Sequence, residues 1–79
     1  MSDDVNFEKF RACAVEVLQV APEAIVPDAS FADDLDADSL DLVELIMALE
    51  EAFDITVEED ELKDVGTIAQ AYALVSAKL

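Results

Sequence analysis

Ser39 stands in the chemically most suggestive segment of the chain, the run DDLDADSLD of residues 33–41. A serine hydroxyl can be a catalytic nucleophile beside a histidine base, a helix cap, or the carrier of a phosphodiester near free backbone N–H groups. The chain contains no histidine, which excludes Ser-His-Asp catalysis and imidazole metal sites. The neighbouring carboxylates oppose an added phosphate, so electrostatics leave capping and attachment both open.

Three acids of this segment, Asp34, Asp36 and Asp38, alternate as they do in a calcium-binding hand. The sixth position of that loop requires glycine and the twelfth requires glutamate. Ser39 and Leu45 occupy these positions, so the segment does not match a calcium-binding loop. We expect no dedicated metal site, although weak divalent-ion binding to the acidic surface stays open as an alternative.

Charge is distributed very unevenly along the 79 residues. Twenty acids face four bases, for a net charge of -16, and thirteen of the acids lie between Asp33 and Glu61. Such a surface repels nucleic acid and anionic membranes, and it attracts partners with basic patches. We therefore expect neither nucleic acid nor a membrane among the partners.

The composition predicts an all-α fold in one domain spanning residues 1–79. One glycine and two prolines are too few for the turns of a small sheet protein. Cys13 has no partner for a disulfide within the chain, and its position at the edge of an apolar stripe indicates a half-buried hydrophobe. The N-terminus lacks the basic and apolar regions of a signal peptide. We expect a soluble, monomeric, cytoplasmic protein.

Apolar periodicity places a first helix at about 6–19, capped by Asp4 or Asn6. A long loop over 20–38 follows, and its apolar side chains predict that it packs against the core. Gly66 is predicted at a tight turn or C-cap.

The second helix is predicted from Ser39 to about Phe53, with Asp38 as its N-cap. A short acidic turn at 58–62 follows, and Thr67 with Gln70 reads as the capping box of the last helix. The result is a small bundle of three main helices plus one short helix.

The second helix carries two apolar stripes on a helical wheel. A core stripe contains Leu42, Leu45, Ile46, Leu49 and Phe53. The opposite side carries Leu40, Val43 and Met47, with carboxylates around them. A helix on the outside of a bundle buries one stripe, so we expect the second stripe to be a docking face with an acidic rim.

Residues 31–53, FADDLDADSLDLVELIMALEEAF, resemble the signature of acyl carrier proteins, and the likeness extends more loosely over nearly the whole chain. The resemblance implies that Ser39 accepts 4'-phosphopantetheine from coenzyme A through a separate, magnesium-dependent phosphopantetheinyl transferase. The thiol of that arm then holds acyl groups as thioesters, and the protein is not an enzyme. Fatty acid synthesis is favoured, with polyketide or specialised lipid synthesis open. An acidic helical adaptor without a prosthetic group is the alternative.

The resemblance also implies partners and contact residues. Acyl-transferring, ketosynthase, reductase and dehydratase enzymes with basic patches are expected to dock on Asp38, Leu40, Asp41, Val43, Glu44 and Met47, and the wheel adds Glu50 and Glu51. The acyl chain is expected between the helices, in a cleft lined by Leu45, Ile46, Leu49, Phe53, Ile68 and Tyr72. One departure stands out, because the family most often has glycine where this chain has Asp36.

Overall fold

Four α-helices and one 3-10 turn form the regular structure of the computed structural model, which describes the backbone of residues 2–79 and the side chains of residues 5–79. The elements are α1 (Ser2–Leu18), the 3-10 turn (Pro22–Ala24), α2 (Ser39–Phe53), α3 (Glu59–Leu62) and α4 (Ile68–Ala77). No β-strand forms in residues 2–79. The predicted all-α class, with three main helices and one short helix, is confirmed.

Helix α1 begins earlier than the apolar stripe predicts. It runs over Ser2–Leu18, so Asn6 lies inside the helix and does not cap it. The side chain of Asp4 lies outside the described side chains. No proline or glycine precedes Asn6, so nothing in the sequence stops the helix there. At the other end Gln19 has a left-handed backbone with φ 56°, which terminates the helix.

One cluster of buried side chains forms the core, and α2 lies against α1 within it. Leu45 and Leu49 of α2 are completely buried, as are Phe10 and Ala14 of α1 and Ile68 of α4. The core stripe predicted for α2 therefore faces inward. None of the helices in the described part of the chain is long and apolar enough to cross a lipid bilayer.

The loop between α1 and α2 contributes its own layer to this core. Its buried side chains are those of Ile25, Ala29, Phe31, Leu35 and Ala37. The sequence predicts this packing for Ile25, Val26, Phe31 and Leu35, because exposure of each large apolar side chain would cost about 1.5–3 kcal/mol. The prediction is wrong for Val26, which is 42% exposed. The loop that leads to Ser39 is thus part of the packed structure.

Backbone hydrogen bonds fasten this loop to the start of α4. Phe31 N–H donates to the carbonyl of Gly66 at 3.0 Å, and Ile68 N–H donates to the carbonyl of Ala29 at 2.9 Å. The second bond satisfies one of the free N–H groups at the start of α4. The approach to Ser39 is consequently held from both α4 and the core.

Gly66 does not use the conformational freedom that a tight turn or C-cap requires. Its φ is not positive, and it lies beyond both the C-cap Lys63 of α3 and the turn at 63–64, so the prediction of a tight turn or C-cap at Gly66 is wrong. Its N–H donates to Oε1 of Gln70 at 2.7 Å, while Thr67 and Gln70 form the predicted capping box of α4. Gly66 therefore extends the cap of α4 by one hydrogen bond.

Candidate functional site

Ser39 is the first residue of α2 and is exposed to solvent. Asp38 is the N-cap as predicted, and its Oδ1 accepts from Asp41 N–H at 3.0 Å. In return, Asp38 N–H donates to Oδ2 of Asp41 at 3.2 Å. This reciprocal capping box fixes the turn at which the Ser39 hydroxyl is presented.

The backbone just before Ser39 passes through a left-handed conformation at Asp36, where φ is 53°. The flanking side chains of Leu35 and Ala37 are buried, while Asp36 is exposed. Ala37 N–H donates to the carbonyl of Phe31 at 2.7 Å, which holds the loop in place on one side of Asp36. A side chain in this region costs energy that glycine avoids, which explains why glycine suits this position.

A groove of about 220 Å³ opens directly beside Ser39. Phe31, Leu42 and Val65 supply its apolar walls, and Ser30, Ala32 and Ala37 also line it. The groove combines one exposed hydroxyl with a mainly apolar surface, so it can accommodate a slender chain attached at Ser39.

The outer stripe of α2 is exposed along its length. The exposed fractions are 67% for Leu40, 39% for Val43 and 59% for Met47. Glu44 and Glu51 on the same helix are also exposed. Large apolar side chains at helical spacing with carboxylates beside them form a contiguous surface suited to a partner that is both apolar and basic.

Glu50 does not share this exposure. Its Oε2 accepts from Val57 N–H at 2.9 Å, and its side chain is partly buried. The structure thus gives Glu50 a role in holding the chain that leaves α2. Sequence reasoning could not anticipate this, because a helical wheel does not show where the following loop returns.

The six residues predicted to line an acyl cleft lie on the inner side of the bundle. Leu45, Leu49 and Ile68 are fully buried, and Ile46, Phe53 and Tyr72 complete the set. Tyr72 packs edge-to-face against the rings of Phe7 and Phe10.

The walls of the groove at Ser39 come from a different set of residues. Sequence reasoning missed Phe31 and Val65, which flank the groove from two separate loops. The sequence shows only that each is an apolar side chain in an acidic loop. It does not show that these two loops meet beside Ser39.

Other reactive groups of the described residues lie outside this site. Cys13 is half-buried on α1, as predicted, and burial, followed by the charge of Glu16, raises the pKa of its thiol. A raised thiol pKa lowers nucleophilicity at neutral pH. Among the described side chains, no group of three or more histidine, cysteine, aspartate or glutamate residues is placed to hold a metal ion.

Comparison with known proteins identifies the family. Residues 8–75 match the family model described as "Phosphopantetheine attachment site". The chain belongs to the acyl carrier protein family. A protein named "Acyl carrier protein" from Petrotoga mobilis is 47% identical over 79 residues, which cover 100% of this chain and 93% of the relative. Another of that name from Thermosynechococcus vestitus is 43% identical over 79 residues, covering 100% of this chain and 98% of the relative.

The prosthetic group of this family is 4'-phosphopantetheine, and the site suits such a group. The exposed hydroxyl of Ser39 could bond to such a group, and the adjoining groove of about 220 Å³ would offer it a surface. The sequence has no basic residue from Ala12 to Leu62, so this segment offers no cation to pair with the phosphodiester. The start of α2 provides the favourable end of a helix dipole instead.

Proposed function

We propose that Ser39 carries the 4'-phosphopantetheine arm. In the attachment step, Ser39 Oγ forms a bond to the β-phosphorus of coenzyme A while the pyrophosphate bond breaks. Adenosine 3',5'-bisphosphate leaves, and the hydroxyl proton is released. The observation that carries the proposal is an exposed hydroxyl at the first position of α2 beside an apolar groove.

Comparison of the two serines in the matched region supports the same residue. Residues 8–75 contain only Ser30 and Ser39 as serines. Ser30 is half-buried, and its Oγ accepts from Asp33 N–H at 3.3 Å. Its backbone N–H is also engaged, with Oδ2 of Asp34 at 2.7 Å. Ser30 thus serves the loop, whereas Ser39 faces solvent.

The protein acts as a carrier and performs no catalysis of its own. The thiol of the arm holds an acyl group as a thioester, and the arm presents this group to successive enzymes at high effective concentration. Fatty acid synthesis is the process we propose for it, in keeping with the relatives named acyl carrier proteins. We further propose that the chain is a single domain, monomeric and cytoplasmic.

The docking face for these enzymes comprises Asp38, Leu40, Asp41, Val43, Glu44, Met47 and Glu51. Its exposed apolar centre offers contact area, and its carboxylates steer partners with basic patches. The partners are the phosphopantetheinyl transferase and the acyl-transferring, ketosynthase, reductase and dehydratase enzymes. Glu50 is omitted from the face because its hydrogen bond with Val57 N–H is partly buried, whereas the capping bonds of Asp38 and Asp41 are exposed.

The attachment experiment is an intact-mass measurement. The protein is incubated with coenzyme A, magnesium and a promiscuous phosphopantetheinyl transferase. We expect a mass gain of one phosphopantetheine group in the wild type and in Ser30→Ala, and none in Ser39→Ala. An undiminished gain in Ser39→Ala, or no gain in the wild type, would contradict the proposal. Circular dichroism of each variant checks that the helices are intact.

The acyl cleft is a further part of this proposal. A chain that enters between the helices gains contact with the side chains of Leu45, Ile46, Leu49, Phe53, Ile68 and Tyr72. Because burial of each CH₂ group contributes about 0.8 kcal/mol, the melting temperature of the loaded protein should rise with acyl length. A melting temperature that is independent of acyl length would show that the acyl chain stays outside.

A further inference from the structure

One carboxylate oxygen of helix α3 makes two contacts. Oε2 of Glu61 accepts from Glu58 N–H at 2.8 Å, which closes the capping box of α3. The same Oε2 lies 3.1 Å from Nζ of Lys78 at the end of α4. The cap of α3 and its ion pair with Lys78 therefore share one atom.

This ion pair is much better shielded than the other ion pair of α3. The side chains of Lys78 and Glu61 are 26% and 31% exposed. The pair of Lys63 with Asp60 is longer, at 3.5 Å, and its side chains are 78% and 90% exposed. Shielding from water strengthens a charge pair, so the Glu61–Lys78 pair is the one that can hold α3.

Residues 55–65 contain α3 and have few other directional attachments. Helix α3 itself has no buried residue. The hydrogen bond from Val57 N–H to Glu50 is a second tie. Half-buried apolar side chains, those of Ile55, Val57, Leu62 and Val65, pack against the core without entering it. The two ends are anchored separately, at the C-cap Asp54 of α2 and at the cap of α4.

Val65 in this segment separates two grooves. It forms a wall of the groove of about 220 Å³ beside Ser39. It also lines a groove of about 470 Å³ between α3 and α4, together with Glu61, Asp64, Gln70, Ala73 and Leu74. Outward movement of residues 55–65 would carry Val65 away and join the two spaces.

We propose that residues 55–65 form a lid, that the Glu61–Lys78 pair is its latch, and that release of the latch connects the groove at Ser39 with the groove between α3 and α4. That the joined space receives the prosthetic arm rests on the function proposed above, which places the acyl chain itself in the cleft between the helices. The lid and its latch are properties of the chain before any arm is attached, so they can be tested separately.

The test is amide hydrogen exchange on the full chain without the arm, followed at Val57 and Val65. The hydrogen bond from Val57 N–H runs from the lid to Glu50 of α2, so this amide reports on closure of the lid. Val65 N–H donates to the carbonyl of Leu62 at 3.1 Å, so it reports on the order of the turn after α3. Glu61→Gln keeps an oxygen for the cap and removes the charge. Lys78→Met keeps the apolar stem and removes the other charge. Lys63→Met is the matched control, because it removes the same charge from an exposed pair.

We expect Glu61→Gln and Lys78→Met to accelerate exchange at Val57 and Val65 about 2- to 5-fold, the range for loss of a partly shielded ion pair. Amides in the middle of α1 and α2 should keep their wild-type rates, which shows that the fold is intact. The Lys63→Met control should leave Val57 and Val65 unchanged.

Three results would overturn the latch. Unchanged exchange in both latch variants would show that the pair does not hold the lid. Equal acceleration in Lys63→Met would assign the effect to net charge. Equal acceleration throughout α1 and α2 would assign it to global destabilisation. None of these readings depends on whether Ser39 can be loaded, so failure of the latch is distinct from failure of the attachment proposal.

Discussion

The start of α2 and the corner between α3 and α4 use carboxylates in different ways. At the start of α2, Asp38 and Asp41 accept hydrogen bonds from backbone N–H groups. At the corner, Glu61 accepts a backbone hydrogen bond and also pairs with Lys78. The three ion pairs within the described side chains lie on α1, α3 and α4, and none lies on α2.

The two regions differ in whether lysine side chains neutralise their carboxylates. Lysine neutralises part of the charge at the corner, where it serves the fold. Around Ser39 the carboxylates order the loop and the helix start without being neutralised, so their field remains available to basic partners. The same type of side chain therefore stabilises both regions, but only at the corner are carboxylates paired with lysine.

The largest effect is expected on the inner face of α2, which must hold Ser39 in place. Leu49 is completely buried, so Leu49→Ala should reduce the free energy of unfolding by about 2–5 kcal/mol. Met47 is 59% exposed, and Met47→Ala should change it by less than about 0.5 kcal/mol. Urea denaturation measures both. Similar losses for the two variants would mean that Met47 belongs to the core.

Two substitutions of Asp38, the N-cap of α2, distinguish its role as a cap from the role of its charge. Asp38→Ala removes the cap and should cost about 1 kcal/mol of unfolding free energy. Asp38→Asn keeps a capping oxygen and removes the charge, so its stability should stay close to that of the wild type. Urea denaturation of both variants checks this. Equal destabilisation by the two substitutions would show that charge, and not the cap, supports the start of α2.

The loop before Ser39 is tested by two substitutions that remove the same charge from Asp36. Glycine suits the left-handed backbone at this position, where φ is 53°, whereas alanine retains a Cβ. Asp36→Gly should therefore be more stable than Asp36→Ala by about 1 kcal/mol, as the cost of a Cβ in this region indicates. Thermal or urea unfolding gives the difference. A more stable alanine variant would contradict the left-handed conformation.

The smallest expected effect is local and concerns acid pH at the corner. The hydrogen bond from Glu58 N–H, and then that of Lys78, hold the pKa of the Glu61 carboxyl below its ordinary value. A folded-state pKa below the unfolded value means that Glu61 stabilises the fold fully above its unfolded pKa. That contribution is lost as pH falls through the lower, folded pKa.

A carboxyl-carbon NMR titration of Glu61 measures this directly. In Lys78→Met the midpoint should rise, yet stay below the ordinary glutamate value, because the larger contribution from Glu58 N–H remains. A midpoint identical to that of the wild type would show that Lys78 does not lower the pKa of Glu61. Lys63→Met, which alters a more exposed pair, should leave the midpoint unchanged.

Local sequence patterns predict much of this structure correctly. Asp38 before an apolar stripe predicts the start of α2 at Ser39, and Thr67 with Gln70 predicts the start of α4. These predictions succeed because a cap is formed by residues three positions apart. The start of α1 was misplaced because no comparable boundary signal stands there.

Features that join distant parts of the chain could not be predicted. The hydrogen bond from Val57 N–H to Glu50 and the ion pair between Glu61 and Lys78 depend on how the chain returns after α2. The groove walls Phe31 and Val65 come from loops that meet only in the folded protein.

The sequence by itself determined the helical class, the two faces of α2 and the serine at its first turn, because these follow from composition, periodicity and short-range capping. Tertiary structure decided the left-handed backbone at Asp36, the groove beside Ser39 and the attachment of α3. These depend on side chains and backbone groups far apart in sequence, whose positions are set by packing of the loops against the core.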